Sequence, residues 1–481
     1  MGKYLLLDRR FLNPQGMVNV SLEPTSPVKD EQNNPLFVQD KPWEIRIDNG
    51  YPNVLYDEQT GIFHCYYTLF TEDYDTEGTT VEERTSRDYR PRMDRVTCLA
   101  YARSKDGVHW EKPSLGLVDW RGSRENNLLF QYAHGTGVMI DDREEDPGRR
   151  FKMVTKVDIP NHGAHMAVAF SADGVHWSEL IPWPDHNPTA DSHNLPFWNE
   201  KEKCYMLLSR IWKDGVRITT ICRSMDFIHW SEPKETLRGQ GFGSQIYSMP
   251  AFANNNIYLG LASVIHEGDR LEEDFDCVDC ELTWSADGEK FDFVAPGKPV
   301  IKRGCGRYPD GDFDNSCIYA SQPVENPDGS LWVYYMGGNG RHTNFRESSL
   351  GRAYWEADKF AAYVPKNLDR DCTLTTSTLE FREPYLELLA SPVDPERRVS
   401  LTASVHSIWT EEALEGFSME DSRVTFENGW YRIRWAEDCL SQKKGCMRIK
   451  FSNLKIWAVQ GGFELCGHRL WEGADLENEG Q

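Results

Sequence analysis

Short apolar runs, each closed by a polar turn, recur along the chain as far as residue 365. Tyr51-Pro-Asn-Val-Leu-Tyr56, a turn through Asp57 to Gly61, and Ile62-Phe-His-Cys-Tyr-Tyr67 make the first pair. Gly137-Val-Met-Ile140 with Arg150-Phe-Lys-Met-Val-Thr155 make the second, and Asn194-Leu-Pro-Phe-Trp198 with Cys204-Tyr-Met-Leu-Leu208 the third. Met249-Pro-Ala-Phe252 with Ile257-Tyr-Leu-Gly-Leu261 follow, then Cys317-Ile-Tyr-Ala320 with Leu331-Trp-Val-Tyr-Tyr335. Runs of this length, rich in β-branched and aromatic residues and bounded by Asn, Asp, Gly and Pro, predict antiparallel strands joined by tight turns.

A repeated motif follows each pair. Ser104-Lys-Asp-Gly-Val-His-Trp110 returns as Ser171-Ala-Asp-Gly-Val-His-Trp177 and Ser224-Met-Asp-Phe-Ile-His-Trp230. It returns again as Ser285-Ala-Asp-Gly-Glu-Lys-Phe291, with a fainter echo at Trp355-Glu-Ala-Asp358-Lys-Phe360. The aspartates are 67, 53, 61 and 71 residues apart, the mark of a repeat architecture. Asp-Gly suits a hairpin, because Gly tolerates positive φ and Asp bonds its own backbone. Each unit therefore reads as four antiparallel strands, and five units predict a five-bladed β-propeller over residues 41–365. Beyond 366 the repeat stops. Arg398-Val-Ser-Leu-Thr-Ala403, Tyr431-Arg-Ile-Arg-Trp435 and Met447-Arg-Ile-Lys-Phe451 alternate with period two. That predicts a β-sandwich over 366–481, ending in a frayed tail from Glu472 to Gln481. The expected class is all-β. Residues 1–40 read as an arm packing on the C-terminal domain. The polar insertion Thr71 to Arg95 reads as a lid, an oligomer contact or a flap, and a homo-oligomer stays open.

Composition narrows the partners. A formal charge of −23 argues against nucleic acid and against an anionic membrane surface. No apolar run reaches membrane-spanning length, and the start is too soon charged for a signal peptide. Twelve scattered cysteines, with the lone Cys277-Val-Asp-Cys280, read as reduced thiols rather than a metal or redox site. The expected compartment is the cytoplasm. No cofactor is expected. The histidines His134, His162 and His165 lack a metal-site spacing, so no metal is expected either.

Five repeated units followed by a sandwich resemble the glycoside hydrolase clan that holds the invertase and fructanase family 32, with families 43 and 130 sharing the propeller. The chain is most similar to a bacterial group labelled glycosyl hydrolase-like. The shared stretches are Lys41-Pro-Trp-Glu44, Ser104 to Pro113, Gly122-Ser-Arg-Glu-Asn-Asn127, Asp191-Ser-His-Asn194 and Gly416-Phe-Ser-Met-Glu-Asp421. Sialidases offer a rival through their Asp-box turns, but those carry one more residue between Asp and Gly. The resemblance implies a small carbohydrate substrate.

In a propeller, functional residues stand just before the innermost strand of a blade, or between its second and third strands. Glycoside cleavage needs one carboxyl group that donates a proton and another that attacks the anomeric carbon or activates water. Asp48 in Asp48-Asn-Gly-Tyr-Pro-Asn53 stands where the resemblance places a first-blade carboxylate, with Glu44 able to replace it. The second-blade Arg-Asp-Pro motif of family 32 is absent. Asp191 is the expected second carboxylate. Glu281 is the expected acid, because Asp279 lies two residues away on the same strand face and would raise it. Glu44, His134, His193, Asn194, Asp279, Asp314, Arg341 and His342 are expected substrate contacts. The expected activity is a glycoside hydrolase acting on the non-reducing end of a short glycoside, a furanoside among the options. Phosphorolysis, with Arg46, Arg210 and Arg341 holding the anion, is one alternative, and a non-catalytic carbohydrate-binding propeller is the other.

Overall fold

The computed structural model describes residues 2–466 except 189, 409, 411 and 436–443. The tail expected to fray, from Glu472 to Gln481, lies outside the described residues. Among the described residues the regular structure is almost all strand, with one six-residue α-helix, Val81–Ser86, inside the long insertion. No helix among them is long and apolar enough to cross a membrane. Two compact units divide the chain: residues 26–356 form one, and residues 1–25 with 357–481 form the other.

In the larger unit the strands follow the repeat. Asn53–Asp57, Ile62–Glu72, Val96–Ser104 and Trp110–Glu111 form the first antiparallel group, with Leu128–Gln131 also on Val96–Ser104. Ala133–Ile140, Phe151–Ile159, Gly163–Ser171 and Ile181–Pro182 form the second. Leu195–Asn199, Cys204–Lys213, Val216–Ser224 and Lys234–Arg238 form the third. The fourth is centred on Ile257–His266 and Val278–Ser285, and the fifth on Leu331–Gly338 and Ser348–Trp355. A parallel bridge from Val278 to Cys317 joins the last two into one sheet. The outer strand of the fifth group is Val28–Lys29, paired with Tyr354 and Ala353.

The expected arm therefore divides. Residues 26–40 belong with the last strand group, and residues 1–25 belong to the other unit. The physical reason is an unpaired edge: Ser348–Trp355 needs a neighbour, and the N-terminal segment supplies its hydrogen bonds.

The apolar cores lie between neighbouring groups. Tyr66 and Leu99 of the first group pack with Val138 and Met153 of the second. Val154 and Val168 meet Leu207 and Cys222. Met206 meets Ile246 and Val264. Val54 and Tyr67 meet Tyr319, Tyr334 and Leu350, which brings the last group back to the first.

The repeated motif builds the same turn at its first four copies. The Ser hydroxyl accepts the N–H three residues on, at 2.9 Å in each of Gly107, Gly174, Phe227 and Gly288. The Asp carboxylate caps the following N–H groups. Three of these turns also accept a hydrogen bond from the preceding group, making each a fastener between groups. Tyr66 Oη donates to the Gly174 carbonyl at 2.9 Å, Asn199 Nδ2 to that of Asp287 at 2.7 Å, and Tyr334 Oη to that of Gly107 at 3.0 Å. Gly is required where tyrosine reaches in, since a Cβ on Gly174 would lie 2.3 Å from Tyr66 Oη. The third copy keeps the left-handed backbone with Phe227 at φ +69°. Its ring is wholly buried against Phe170, Tyr205 and Trp230. The fifth echo departs from the pattern: Asp358 pairs with Lys3 in the smaller unit.

That smaller unit is a nine-stranded hydrogen-bonded assembly. Its spine is the 21-residue strand Cys372–Pro392, which pairs with Leu454–Leu465, Lys444–Ser452 and Trp430–Arg434. Gly2–Leu5 pairs with Leu454–Leu465, and Val20–Pro24 with Ala361–Pro365. Leu6, Phe11, Leu374, Leu388, Phe451 and Ile456 fill its core.

Tyr66→Phe should lower unfolding free energy by about 1–2 kcal/mol, because the Gly174 carbonyl keeps its burial and loses its donor. Denaturant unfolding followed by circular dichroism checks this. An unchanged midpoint would show that the turns do not fasten neighbouring groups.

Candidate functional site

Four rings, one from each of the other strand groups, pack around Tyr51 of the first. Tyr51 is fully buried and stands in the left-handed region at φ +43°. Its ring centre lies 5.7 Å from His134, 5.6 Å from His193, and 6.4 Å from both Tyr247 and Tyr319. Each of these side chains sits on, or just before, the first strand of its group. The ring edges are polar, and most are partnered, while His193 Nδ1 has no hydrogen-bond partner. Asn49 Nδ2 donates to Tyr51 Oη at 2.7 Å, and Tyr51 Oη lies 3.4 Å from Tyr247 Oη. His193 Nε2 and Asn53 Oδ1 are 3.1 Å apart, and Tyr319 Oη and His342 Nδ1 are 2.6 Å apart. The imidazoles are held neutral. Burial lowers His134 to about 4, with the Lys156 charge adding to it, and burial alone lowers His193 to about 3. His342 falls well below its ordinary value through burial and the nearby Arg346 guanidinium.

Charged groups border these rings. Asp48 Oδ1 accepts from Arg46 Nε at 3.1 Å and from Arg346 Nη2 at 2.9 Å. Arg346 also donates to Asn49 Oδ1 at 2.7 Å and to the carbonyl of His342. Burial works against ionisation of Asp48, but the Arg346 and Arg46 charges outweigh it and hold the carboxyl far below the usual range. On another side Asp191 pairs with Arg210, whose guanidinium lies 4.9 Å from the Tyr247 ring. Both carboxylates reach outward from buried arginines: the Asp48 and Asp191 side chains are 23% and 41% exposed, against 1% for Arg46 and 3% for Arg210.

A third acid joins this cluster. Asp276 is buried at φ +62°, and its backbone carbonyl accepts the His342 N–H. Its Oδ2 takes both the Thr343 N–H at 2.9 Å and the Thr343 hydroxyl at 2.7 Å. Burial raises this carboxyl, and the Thr343 bonds with the Arg346 charge offset only part of the rise. Arg346 thus interacts with two acids driven in opposite directions.

The other expected site residues go elsewhere. Glu281 is buried with its Oε2 on the Gly297 N–H at 2.9 Å. Its carboxyl is raised by burial, with the Asp279 charge adding to it. The charges that act on it are those of Asp279 and His266. Asp279 faces His266 Nε2 at 2.8 Å and Arg303 Nε at 2.7 Å, on the wall of a separate cleft that Arg341 also lines. Glu44 is saturated by Tyr67, Lys112 and the Asp40 and Lys41 N–H groups, which makes it a buried anchor. Asn194 bonds the carbonyls of Gly135 and Ser192 and the Ser209 hydroxyl, fixing the chain path. Asp314 is tied to Lys29 at 2.5 Å and Tyr335 at 2.8 Å. Of the expected contacts, His134, His193 and His342 join Asp48 and Asp191 around the rings.

The insertion is ordered and docked. Tyr89 donates through its hydroxyl to Asp73 Oδ2 at 2.6 Å and stacks 4.1 Å from the Arg46 guanidinium. Its backbone N–H meets Asn344 Oδ1 at 2.9 Å, and Arg84 pairs with Glu347 at 3.0 Å. The segment therefore lies against residues 344–347 of the last group. Among the described residues no cluster of three His, Cys, Asp or Glu is placed to hold a metal ion, and all eleven described cysteines are thiols.

No protein-family model matches the chain, and no curated protein does. The fold is similar to solved structures. One comes from the GH130 family of mannoside phosphorylases, which contains glycoside hydrolases that target β-1,2 mannosidic linkages in Candida mannan. It shares 16% identity at a TM-score of 0.47, over 71% of this chain and 97% of that one. A second is an N-acetylgalactosamine deacetylase from F. plautii in complex with blood group B trisaccharide, at 17% identity and a TM-score of 0.44, over 69% and 95%. A third is a fructofuranosidase from Schwanniomyces occidentalis complexed with fructosylnystose, at 12% identity and a TM-score of 0.42, over 92% and 99%. Likeness at this level carries no weight for chemistry.

Arg346→Met should raise the Asp48 carboxyl toward its ordinary value of about 3.9, read as a ¹³C carboxyl titration against wild type. The sign also fixes a stability trend. With the folded value depressed, the contribution of this group is complete above about pH 4 and is lost as pH falls toward the folded value. An Asp48 titration unchanged in Arg346→Met would contradict this electrostatic account.

Proposed function

We propose that residues 26–356 form a five-bladed β-propeller, that the smaller unit is a β-sandwich, and that the chain is a glycoside hydrolase working at the ring cluster. The observation that carries this reading is the divergence of two acids that share Arg346. Asp48 is held ionised and Asp276 is pushed toward the protonated form. Such a divided pair is what acid and base roles require at neutral pH.

In this mechanism Asp276 carries its proton on Oδ1, since Oδ2 takes both Thr343 donors. That proton passes to the glycosidic oxygen as its bond to the anomeric carbon breaks. Asp48 stays anionic opposite the developing positive charge, and either attacks the anomeric carbon or takes a proton from the attacking water. Where Asp48 attacks, a water then hydrolyses the ester, giving its hydroxyl to the sugar and its other proton to Asp276; where Asp48 takes the proton of the attacking water, it releases that proton to solvent and Asp276 is reprotonated from solvent. Asp191, held by Arg210, orients sugar hydroxyls with His134 and His193. Asp276 thus takes the acid role expected of Glu281, because Asp276 shares Arg346 with Asp48, whereas the charges that act on Glu281 are those of Asp279 and His266. The docked insertion beside Arg46 supports a pocket and hence action at a chain end.

A second reading is phosphorolysis. It is supported by buried guanidinium nitrogens without a hydrogen-bond partner, namely Arg46 Nη1, Arg346 Nε, Arg210 Nε and Arg217 Nε. A tetrahedral anion is the ligand such donors suit.

Asp48→Asn should lower kcat by about a thousandfold or more while leaving the fold intact. Asp276→Asn should remove the alkaline limb of the pH–rate profile, because activity in wild type falls as Asp276 loses its proton. Its loss should be greatest on substrates with poor leaving groups. Assays on aryl-glycoside and oligosaccharide panels, with and without inorganic phosphate, check all of this. Phosphate-dependent turnover selects the second reading. An inert wild type that still binds sugar would make the chain a carbohydrate-binding protein.

A further inference from the structure

One cavity of the 26–356 unit lies away from the rings. It is a cleft of about 1150 Å³ walled by the insertion at 84–88, the segment 302–308 and the loop 340–345. Six cationic side chains line it against four acidic ones. With Glu347 and Asp75, the partners of Arg84 and Arg87, the cleft balances six cations against six carboxylates, on a chain whose formal charge is −23.

The cations differ in how they are satisfied. Arg84 pairs with Glu347, Arg87 with Asp75, and Arg303 with Asp279. Arg307 approaches Glu273 only to 3.8 Å, with both side chains almost fully exposed, so that pair contributes little. Lys302 and Arg341 have no carboxylate within ion-pair distance among the described residues; Arg341 lies 5.7 Å from the Phe275 ring, and its charge acts on Asp276. The wall that carries Lys302 is preorganised. Gly304 N–H bonds the Asp314 carbonyl at 3.1 Å, and Cys305 N–H bonds Asp312 Oδ2 at 2.6 Å. Tyr308, tied to Glu347 at 3.2 Å, gives the cleft an aromatic face suited to a sugar ring.

We infer that this cleft binds an anionic sugar, one bearing a carboxylate or a phosphate ester, with Lys302 and Arg341 as its charge partners. The sugar half of this ligand rests on the glycoside reading above. The anionic half rests on the cleft alone.

Isothermal titration of the full chain at low ionic strength separates the cases, with trigalacturonate, glucose 1-phosphate and neutral maltotriose as probes. Lys302→Gln/Arg341→Gln is the test variant, and both positions are exposed, so the fold tolerates it. At least one anionic probe should bind, weaken with added salt, and lose about tenfold or more in affinity in the double variant. Preference for trigalacturonate identifies the carboxylate source, and preference for glucose 1-phosphate the phosphate source. Failure of both anions to bind, or equal binding by wild type and the double variant, overturns the inference. Anion binding without glycoside turnover would retain this site while the hydrolase reading falls. Turnover of neutral glycosides without anion binding would do the reverse.

Discussion

Arg346 holds the larger unit's first and last strand groups to one another at the point where chemistry is expected. Its guanidinium is fully buried, and its two terminal nitrogens are met while Nε has no hydrogen-bond partner. Asp48 and Asn49, just ahead of the first group, meet it on one side. The carbonyls of Arg341 and His342 meet it on the other. The same arginine that closes the ring of strand groups therefore sets the ionisation of Asp48. Structural closure and electrostatic preparation are one interaction here, and neither can be altered alone.

The rest of the unit is arranged to deliver five first strands to that point. The repeated Ser-x-Asp turns do their work at the other ends of the strands. There Tyr66, Asn199 and Tyr334 each grip the turn of the next group. The apolar cores lie between groups rather than inside them. Each sheet is thus stabilised by its neighbours, which leaves the inner strand ends free to carry polar and ring side chains.

Much of this was legible in the sequence. The turn motif carries its own geometry, because Ser, Asp and Gly at fixed spacing permit few backbone solutions, and period-two alternation marks strands directly. Asp48, Asp191 and the three histidines could be placed because strand order alone says which loops share a face. The failures have a common cause. Burial and pairing across distant segments leave no local trace. Arg346 sits in an unremarkable stretch of loop, and its role depends on Asp48, 298 residues away. Glu44 looked like a free carboxylate until Lys112 and Tyr67 were seen on it. Glu281 shares a strand face with Asp279 as expected, yet it turns to the Gly297 N–H and not toward the rings. Asp276 stands between the second and third strands of its group, where functional residues are expected, but its raised carboxyl arises from burial that only the folded chain creates.

The central claim is that Asp276 and Asp48 act on one glycosidic bond. A crystal structure with an unreactive thioglycoside tests it most directly. The account predicts the bridging sulfur beside Asp276 Oδ1 at about hydrogen-bonding distance, with the anomeric carbon turned toward Asp48. A sugar seated at the rings with its bridging atom away from Asp276, or a sugar bound only in the cationic cleft, would contradict it.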